Sequence, residues 1–391
     1  MIDNIVIFSR SLPMHGLGGM EVAAWDLAVG LTRLGYRVVI LTTSIPGEPE
    51  IIERDGVLIE ALPVASGRYS REWWKSSRSR FKDRYMTSAS CVVSVSSAAL
   101  GILSLRNRIP DVPFLFQAHG TSWGEIVSKW RSLKPKSIAT SIKNFLWLPR
   151  DVLAYRQFDY VVAVGANVQK DLLKLCDYKL LKPEKIRLIS NGIDTELFSP
   201  SLESRRCVRQ GLGVDDESLI ILSANRLHSQ KGTHHGLEVF YRVRKHRPDS
   251  LYIIAGDGVE SKNLKKQVMR LGLEKSVIFL GRVERQELSR YLSAADQFLF
   301  LTERTEGLPL TILESLACGV PVFVSSHVTL FDSPFVNFVD FKDYEEITSR
   351  LINAANVTRE RRLAVLPREY SLENAVRSYE SLIREKASGQ V

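Results

Sequence analysis

The sequence lacks most features that mark secreted, zinc-stapled or membrane-spanning proteins. Its 391 residues include only four cysteines, which lie far apart and form neither a Cys-x-x-Cys pair nor a cluster with histidine. This spacing argues against a disulfide framework and a zinc finger. The low cysteine content fits a protein of the reducing cytoplasm.

Long apolar runs are also missing. The first residues, Met1–Phe8, lack the basic start, apolar stretch and cleavage site of a signal peptide, and they read as a first strand. The longest uncharged stretch, Thr87–Leu105, is rich in serine and predicts a buried strand followed by a helix. The sequence therefore predicts no transmembrane segment.

What is present describes a soluble, two-domain protein. Apolar residues make up 45% and charged residues 25% of the chain, as in globular proteins. The length exceeds what one hydrophobic core usually supports, which predicts two domains. The net charge is +9, and residues 1–195 hold most of it, with 26 Lys and Arg against 18 Asp and Glu. The asymmetry suggests an anionic partner for the first half: phospholipid headgroups, a diphosphate-linked acceptor or nucleic acid.

Two series of short apolar runs alternate with helix-length segments, which is typical of parallel α/β sheets. The first series predicts strands at residues 5–8, 38–42, 92–95, 114–116 and 160–164, and the second at residues 219–223, 251–255, 277–280, 297–301 and 321–324. In the first series, residues Glu21–Leu34 show helical spacing between two strands and end at Gly35. The turn-rich segment Asn191–Pro200 separates the series and predicts a domain connection. The expected domains are Rossmann-like and cover residues 1–195 and 196–371. The helical pattern within residues 372–391 leaves open whether this last helix packs on the first domain.

In open parallel sheets, ligands bind at the carboxyl ends of strands, where helix N-termini present unpaired amides. The first such junction contains Gly16–Glu21, which predicts either a phosphate-binding loop or a flexible glycine turn. A second junction carries Arg226 and Lys231 five residues apart. These two side chains either bind a diphosphate together or are ordinary solvated cations.

The third junction is the most informative. Glu306 precedes a helix start at Gly307-Leu308-Pro309, and Glu314 follows about two turns later, before Gly319 ends the helix. Phosphate would bind the amides around Gly307 and Leu308, and the carboxylates would accept hydrogen bonds from sugar hydroxyls. This pattern predicts a nucleotide-sugar site. The alternative is an ordinary helix-start glutamate and a surface glutamate.

Together these motifs resemble family 4 of the retaining GT-B glycosyltransferases, and they follow that family's order over nearly the whole chain. The matching segments are Gly18–Glu21, His119-Gly120, Asn191–Asp194, Arg226–Gly232, Ala255–Gly258, Glu306–Glu314 and Gly319–Val322. The resemblance implies an α/β, GT-B fold with two Rossmann-like domains facing each other across a cleft. The first domain would hold the acceptor and the second the nucleotide sugar.

The resemblance also implies residue roles. Arg226 and Lys231 would hold the donor diphosphate, and Glu314 would bind the ribose. Glu306 and His119 would contact the transferred sugar. The remaining donor contacts would come from a loop over the diphosphate and from a strand end that receives the base, at Gly18, Gly19, Gly281 and Val283.

Charge stabilisation by two cations and a helix N-terminus would assist departure of a nucleoside diphosphate without a divalent metal. The absence of an Asp-x-Asp pair agrees with this, and no cofactor is expected. Retention of anomeric configuration rests on the family alone. The segment Val324–Phe331 departs from the family pattern, so the identity of the sugar stays open.

Two basic segments interleave cations with aromatic residues, at residues 68–85 and 129–150. Such segments suit an anionic membrane surface or a lipid-linked acceptor, and they also suit single-stranded nucleic acid. In a third interpretation, the tryptophans pack on their own domain. We expect the membrane or lipid role and no nucleic acid.

The predicted function is transfer of a hexose or N-acetylhexosamine from a UDP- or GDP-sugar to a lipid-linked or polysaccharide acceptor. Such a reaction belongs to the synthesis of cell-surface glycans such as lipopolysaccharide, capsule or exopolysaccharide. The enzyme would be cytoplasmic, with possible peripheral attachment to the inner face of the membrane. Two rivals remain, a nucleotide-sugar epimerase of the same fold and a catalytically silent partner subunit.

Overall fold

A computed structural model describes residues 4–16, 18–131, 147–304, 306–355 and 363–387. The contacts divide the chain into two compact units. Unit 1 comprises Met1–Gly192 with Glu369–Val391, and unit 2 comprises Ile193–Arg368. The chain therefore leaves unit 1 three residues before the expected boundary and returns to it for the last helix.

Unit 1 is built on an eight-stranded sheet with the order β3-β4-β2-β1-β5-β6-β7-β8. All neighbouring pairs are parallel except β3 and β4, which run antiparallel at one edge. The strands are β1 (Asn4–Phe8), β2 (Arg37–Thr43), β3 (Ile51–Arg54), β4 (Val57–Leu62), β5 (Ala89–Val95), β6 (Phe114–Ala118), β7 (Tyr160–Ala163) and β8 (Ile186–Leu188).

Helices cover both faces of this sheet. Along β1, Val6 and Phe8 contribute to one apolar cluster, whereas Ile5 and Ile7 contribute to the other. Such strands are buried on both faces, which is why they read as continuous apolar runs. The helices are α1 (Gly19–Arg33), α2 (Arg71–Arg84), α3 (Ser122–Arg131), α4 (residues 147–157), α5 (Ala166–Asp177) and α12 (Leu372–Ala387), and Ser96–Arg108 form a 3₁₀ helix.

The last helix belongs to unit 1. On α1, Gly30 offers no side chain, and Val376 of α12 fills the space that a Cβ would need there. At the other end, the backbone of Leu372 lies so close to Gly192 that a side chain at that glycine would collide with it. This helix therefore closes one apolar face of the unit 1 sheet.

Unit 2 contains a six-stranded sheet whose neighbouring pairs are all parallel, with the order β11-β10-β9-β12-β13-β14. Its strands are β9 (Ile220–Ala224), β10 (Leu251–Ala255), β11 (Val277–Gly281), β12 (Gln297–Phe300), β13 (Val322–Ser325) and β14 (Val336–Val339). Its helices are α6 (Leu202–Gly211), α7 (Thr233–His246), α8 (Ser261–Arg270), α9 (Arg285–Ala294), α10 (Leu310–Ala317) and α11 (Tyr344–Ala355). The strand order reverses between β9 and β12. This reversal is the switch point of the sheet, the place where ligands bind in open α/β sheets.

Candidate functional site

The loops that follow β9, β10 and β12 approach one another through their backbones. Gly232 has a φ of +70°, and a Cβ there would overlap the carbonyl oxygen of Leu301. Gly256 has a φ of +130°, and a Cβ there would overlap the carbonyl oxygen of Asn225. Only glycine permits both the left-handed backbone and this close approach. These contacts hold the three loops close together at the carboxyl edge of the unit 2 sheet, next to the switch point between β9 and β12.

An ion pair joins the two loops that flank this switch point. The Lys231 Nζ lies 2.7 Å from Glu306 Oε1, and the hydroxyl of Thr302 donates to the same carboxylate oxygen at 3.2 Å. The side chains are 24% and 12% exposed for Lys231 and Glu306, so water screens the pair only in part. The ammonium also lies 5.6 Å from the centre of the Phe300 ring. Two predicted site residues, distant in sequence, thus meet directly.

Arg226 occupies the start of the loop that ends at Lys231. Its side chain is exposed, and no hydrogen bond or ion pair joins its guanidinium to another residue within the described ranges. The backbone around it is fixed, because Leu227 donates its N–H to the carbonyl of Asp257 at 3.0 Å. The guanidinium is thus available to a ligand, on a loop that is held in place.

The helix α10 begins without a side-chain cap. Its N-cap residue is Pro309, and Gly307 and Leu308 precede it in partly buried positions. In the first turn, the Ile312 N–H donates to the Pro309 carbonyl at 3.2 Å, and no side chain caps the amides before it, which can therefore donate to an anion. Glu314 lies one turn inside this helix, is 4% exposed, and has a carboxylate oxygen 3.8 Å from Arg285 Nε. The two glutamates thus occupy different settings, one in the loop and one in the buried body of the helix.

The end of β11 holds the remaining predicted residues of unit 2. Gly281 has a φ of +69°, and its carbonyl accepts a hydrogen bond from the Gly256 N–H at 2.7 Å. The space beside its Cα is open. Val283 follows in a partly buried position just before α9. This strand end can receive a flat ligand group.

The other predicted residues lie in unit 1. Gly18 is the N-cap of α1 and Gly19 its first residue, directly after the switch-point strand β1. The Glu21 carboxylate occupies the space beside Gly18, and it accepts a hydrogen bond from the Ser11 hydroxyl at 2.8 Å. Gly18 and Gly19 therefore form part of the start of helix α1.

His119 follows β6, and its Nε2 lies 2.9 Å from Gln117 Oε1. Burial lowers the pKa of this imidazole to about 4 from an ordinary value of 6.5. The ring is therefore neutral at physiological pH. A neutral ring can donate a hydrogen bond from one nitrogen and accept one at the other.

This pKa gives a prediction for stability. Between pH 6.5 and pH 4 the unfolded chain binds a proton at His119 that the folded chain does not bind, so acidification favours unfolding. Relative to a His119→Asn variant, the wild type should lose free energy of unfolding as the pH falls through this window. Urea unfolding of both proteins at pH 7 and pH 4.5 measures the difference. An unchanged difference would show that the imidazole titrates alike in both states.

The basic segment at residues 68–85 is mainly the helix α2. Trp73 and Phe81 are completely buried, and the Trp73 indole donates to the carbonyl of Ala98 at 3.0 Å. Arg80, Arg84 and Tyr85 all bond the buried carboxylate of Glu60 on β4. The rings therefore pack on their own domain, so they are not the groups that would enter a lipid surface.

The outward face of α2 is cationic. Apart from Arg84, which pairs with Glu60, its exposed basic residues follow a spacing of four, three and four, which places them on one stripe. We call these residues the α2 stripe: Arg71, Lys75, Arg78 and Lys82. In the second basic segment, Trp130 and Trp147 are exposed, and residues 132–146 lie outside the described residues.

Sequence reasoning missed two side chains next to the predicted residues. Thr302 bonds Glu306, and Arg285 lies beside Glu314. Thr302 lies four residues before Glu306 in the same loop, a local spacing that could have indicated this contact. Arg285 is separated from Glu314 by α9 and β12, so no local spacing reveals that second contact. The position of Arg285 at the start of the helix after β11 is the one available signal for this residue.

Two Rossmann-like units with a switch-point site in the second define the class of GT-B glycosyltransferases. Residues 204–347 match the family described as "Glycosyl transferases group 1", and residues 17–197 match "Glycosyltransferase Family 4". The chain belongs to family 4 of the glycosyltransferases. The prediction of family and fold class is confirmed.

Relatives agree with this membership, and a solved structure agrees with the fold. The chain is 28% identical over 313 residues to the alpha-monoglucosyldiacylglycerol synthase of Streptococcus pneumoniae, covering 78% of this chain and 67% of the relative. It is 27% identical over 275 residues to the Escherichia coli UDP-Gal:alpha-D-GlcNAc-diphosphoundecaprenol alpha-1,3-galactosyltransferase, covering 68% and 66%. Anabaena Alr3699/HepE, solved with UDP-glucose, superposes with a TM-score of 0.70 at 18% identity over 99% of both chains.

None of the helices in the described ranges is long and apolar enough to span a membrane.

Proposed function

We propose that this glycosyltransferase moves a hexose or N-acetylhexosamine from a UDP- or GDP-sugar to a lipid-linked or polysaccharide acceptor of a cell-surface glycan. The observation that carries the proposal is the Lys231–Glu306 pair at the switch point, beside the exposed Arg226 and the uncapped start of α10. Cations and free amides suit a diphosphate, and the carboxylate suits sugar hydroxyls.

In this proposal the donor separates the ion pair. Lys231 and Arg226 turn to the diphosphate together with the amides of Gly307 and Leu308, and Glu306 accepts hydrogen bonds from the transferred sugar. The buried Glu314 binds the ribose. We propose that Gly281 and Val283 contact the base. As the resemblance implies, Gly18 and Gly19 would lie in the loop over the diphosphate, and His119 would contact the transferred sugar.

We propose that transfer retains the anomeric configuration and needs no divalent metal. The leaving nucleoside diphosphate gains negative charge, which two side-chain cations and a helix N-terminus stabilise more in the transition state than in the ground state. Undiminished turnover in EDTA would support the metal-independent step, and loss of turnover that Mg²⁺ restores would overturn it. Retention follows the family, and NMR of the product anomer tests it.

The names of two relatives support a lipid-linked acceptor, since one specifies diacylglycerol and the other diphosphoundecaprenol. Unit 1 would hold this acceptor. The test is release of UDP or GDP from a panel of sugar donors, with and without lipid-linked acceptors, after a thermal-shift screen has identified the donor that binds. Release that requires an acceptor supports the proposal. Conversion of the donor alone would indicate an epimerase, and donor binding without any turnover would indicate a silent subunit.

We also propose that the enzyme works at the cytoplasmic face of the membrane and that the α2 stripe contacts anionic headgroups. Each cation near such a surface contributes about 1 kcal/mol, and added salt screens the attraction. Changing Arg71, Lys75, Arg78 and Lys82 to serine should therefore release the protein from vesicles that contain phosphatidylglycerol, as measured by co-sedimentation.

A matched control removes the same number of exposed cations from unit 2, at Lys262, Lys266, Lys275 and Arg290. Both variants lose four charges, but only the first loses the stripe. Equal release of both variants would show that net charge, rather than the α2 stripe, sets the binding.

A further inference from the structure

Outside the proposed donor site, unit 2 brings two histidines and a glutamate together. His234 and His235 stand in the first turn of α7, and Glu303 stands in the loop after β12. The Oε1 of Glu303 lies 3.5 Å from the Nε2 of His234 and 3.2 Å from the Nε2 of His235. The three ligand atoms all lie within 4.8 Å of one another.

The two separations from the Glu303 oxygen match a zinc site. Zinc binds imidazole nitrogen and carboxylate oxygen at about 2.0–2.2 Å with tetrahedral geometry, which places neighbouring ligand atoms about 3.4 Å apart. Both separations from the Glu303 oxygen are close to that value. Two imidazoles and one carboxylate form a common three-ligand set for zinc, with a fourth position left for water.

The surroundings hold the ligands in place. The Tyr344 hydroxyl lies 2.7 Å from His235 Nδ1, so the other ring nitrogen faces Glu303. Such a hydrogen bond to the second ring nitrogen is typical of histidines that bind metals. The backbone N–H of Glu303 donates to the Gln230 carbonyl at 2.9 Å, which fixes the loop. His235 is buried, whereas His234 is 38% exposed, so one side of the cluster is open to water.

We propose that His234, His235 and Glu303 bind one Zn²⁺, with water in the fourth position. The ion would replace the hydrogen bond between His235 and Glu303, and the ring proton of His235 would exchange through solvent from Nε2 to Nδ1, so that the neutral ring binds the ion through Nε2. The Tyr344 hydroxyl can donate to or accept from Nδ1, so it serves both states.

The three proposed zinc ligands lie close in sequence to Lys231 and Glu306. His234 follows Lys231 by three residues, and Glu303 precedes Glu306 by three. A bound ion would therefore join the first turn of α7 to the loop after β12, the two segments that Lys231 and Glu306 already link. The site is separate from the proposed donor site, and zinc binding does not depend on the proposed reaction.

The experiment titrates Zn²⁺ into the full chain after EDTA treatment and removal of the chelator. A Cys207→Ser background removes the exposed thiol, which can bind zinc on its own. Calorimetry with a competing chelator should show one zinc per chain. His234→Asn and Glu303→Gln should each weaken binding by at least about tenfold, since even the loss of a residue that only hydrogen-bonds a metal ligand costs about 10–100-fold. Both side chains are partly exposed, so these variants are expected to fold.

The matched control is His246→Asn, which alters an exposed histidine at the other end of α7. It should bind zinc like the background protein. Cobalt provides a second readout, because a tetrahedral Co²⁺ site absorbs visible light, and this absorption should be absent from the His234→Asn and Glu303→Gln variants. No zinc binding by the background protein, or equal binding by these two variants, would overturn the proposal.

Discussion

Lys231→Ala should lower the turnover number by at least about 10²–10³, the loss typical when one pre-positioned group that stabilises transition-state charge is removed. In the structure the ammonium bonds Glu306, and in the proposed reaction it turns to the departing diphosphate. The charge on that diphosphate grows during bond cleavage, so the loss should appear in kcat as well as in kcat/KM. Steady-state release of nucleoside diphosphate measures both constants.

The substitution also leaves the partly buried Glu306 without its ammonium partner, which can destabilise the unit. Thermal unfolding of Lys231→Ala and of the double variant Lys231→Ala/Glu306→Gln separates this effect from catalysis. Lys262→Ala, which removes an exposed lysine on α8, is the matched control and should keep full turnover. Turnover of Lys231→Ala within twofold of the wild type would remove Lys231 from the site.

Gly232→Ala should produce the largest loss of stability among the substitutions considered. A methyl group there would overlap the Leu301 carbonyl oxygen, and the backbone has a φ of +70°. The left-handed backbone costs an alanine about 1–2 kcal/mol, and overpacking adds roughly 1–3 kcal/mol. Urea unfolding, followed by circular dichroism, should therefore show a markedly lower midpoint.

Gly213→Ala isolates the two contributions. Gly213 belongs to the same unit and has a φ of +68°, but the space beside its Cα is empty. This variant should lose only the backbone contribution. If both variants unfolded at the same urea concentration, the close approach of the β9 and β12 loops would add nothing to the cost of the Gly232→Ala substitution.

The sequence predicted those strands whose residues are buried on both faces. Runs such as Val38–Thr42 and Leu251–Ala255 are continuously apolar, and they lie within or coincide with β2 and β10. The missed strands are β3, β4, β8 and β14, which are short, lie at or next to a sheet edge, or carry polar residues. In β4, for example, Glu60 interrupts the apolar pattern of the sequence. Its carboxylate can nevertheless be buried, because Arg80 and Arg84 pair with it, and only the folded chain brings these arginines near.

The sequence indicates where the residues of the candidate site lie along the chain, but it does not indicate which of them contact one another. Strand ends and glycines indicate where a ligand loop lies, but the pairing of Lys231 with Glu306 joins two loops 75 residues apart. The α2 helix shows the opposite case. Its buried positions, Trp73, Ser77 and Phe81, recur every four residues, and Ser70 caps the helix by accepting a hydrogen bond from the Trp73 N–H. This spacing of four residues predicts a helix with one buried face. The composition of the segment, taken alone, favours instead an aromatic surface that faces a membrane.

The return of α12 to the first unit has a consequence for biosynthesis. Unit 2 is continuous in sequence, so a ribosome completes all of its strands before it makes the last helix of unit 1. Until that helix emerges, the apolar face that receives Leu372, Val376 and Tyr379 has no cover. Unit 1 therefore cannot bury this apolar face during synthesis until the ribosome has passed unit 2 and completed α12.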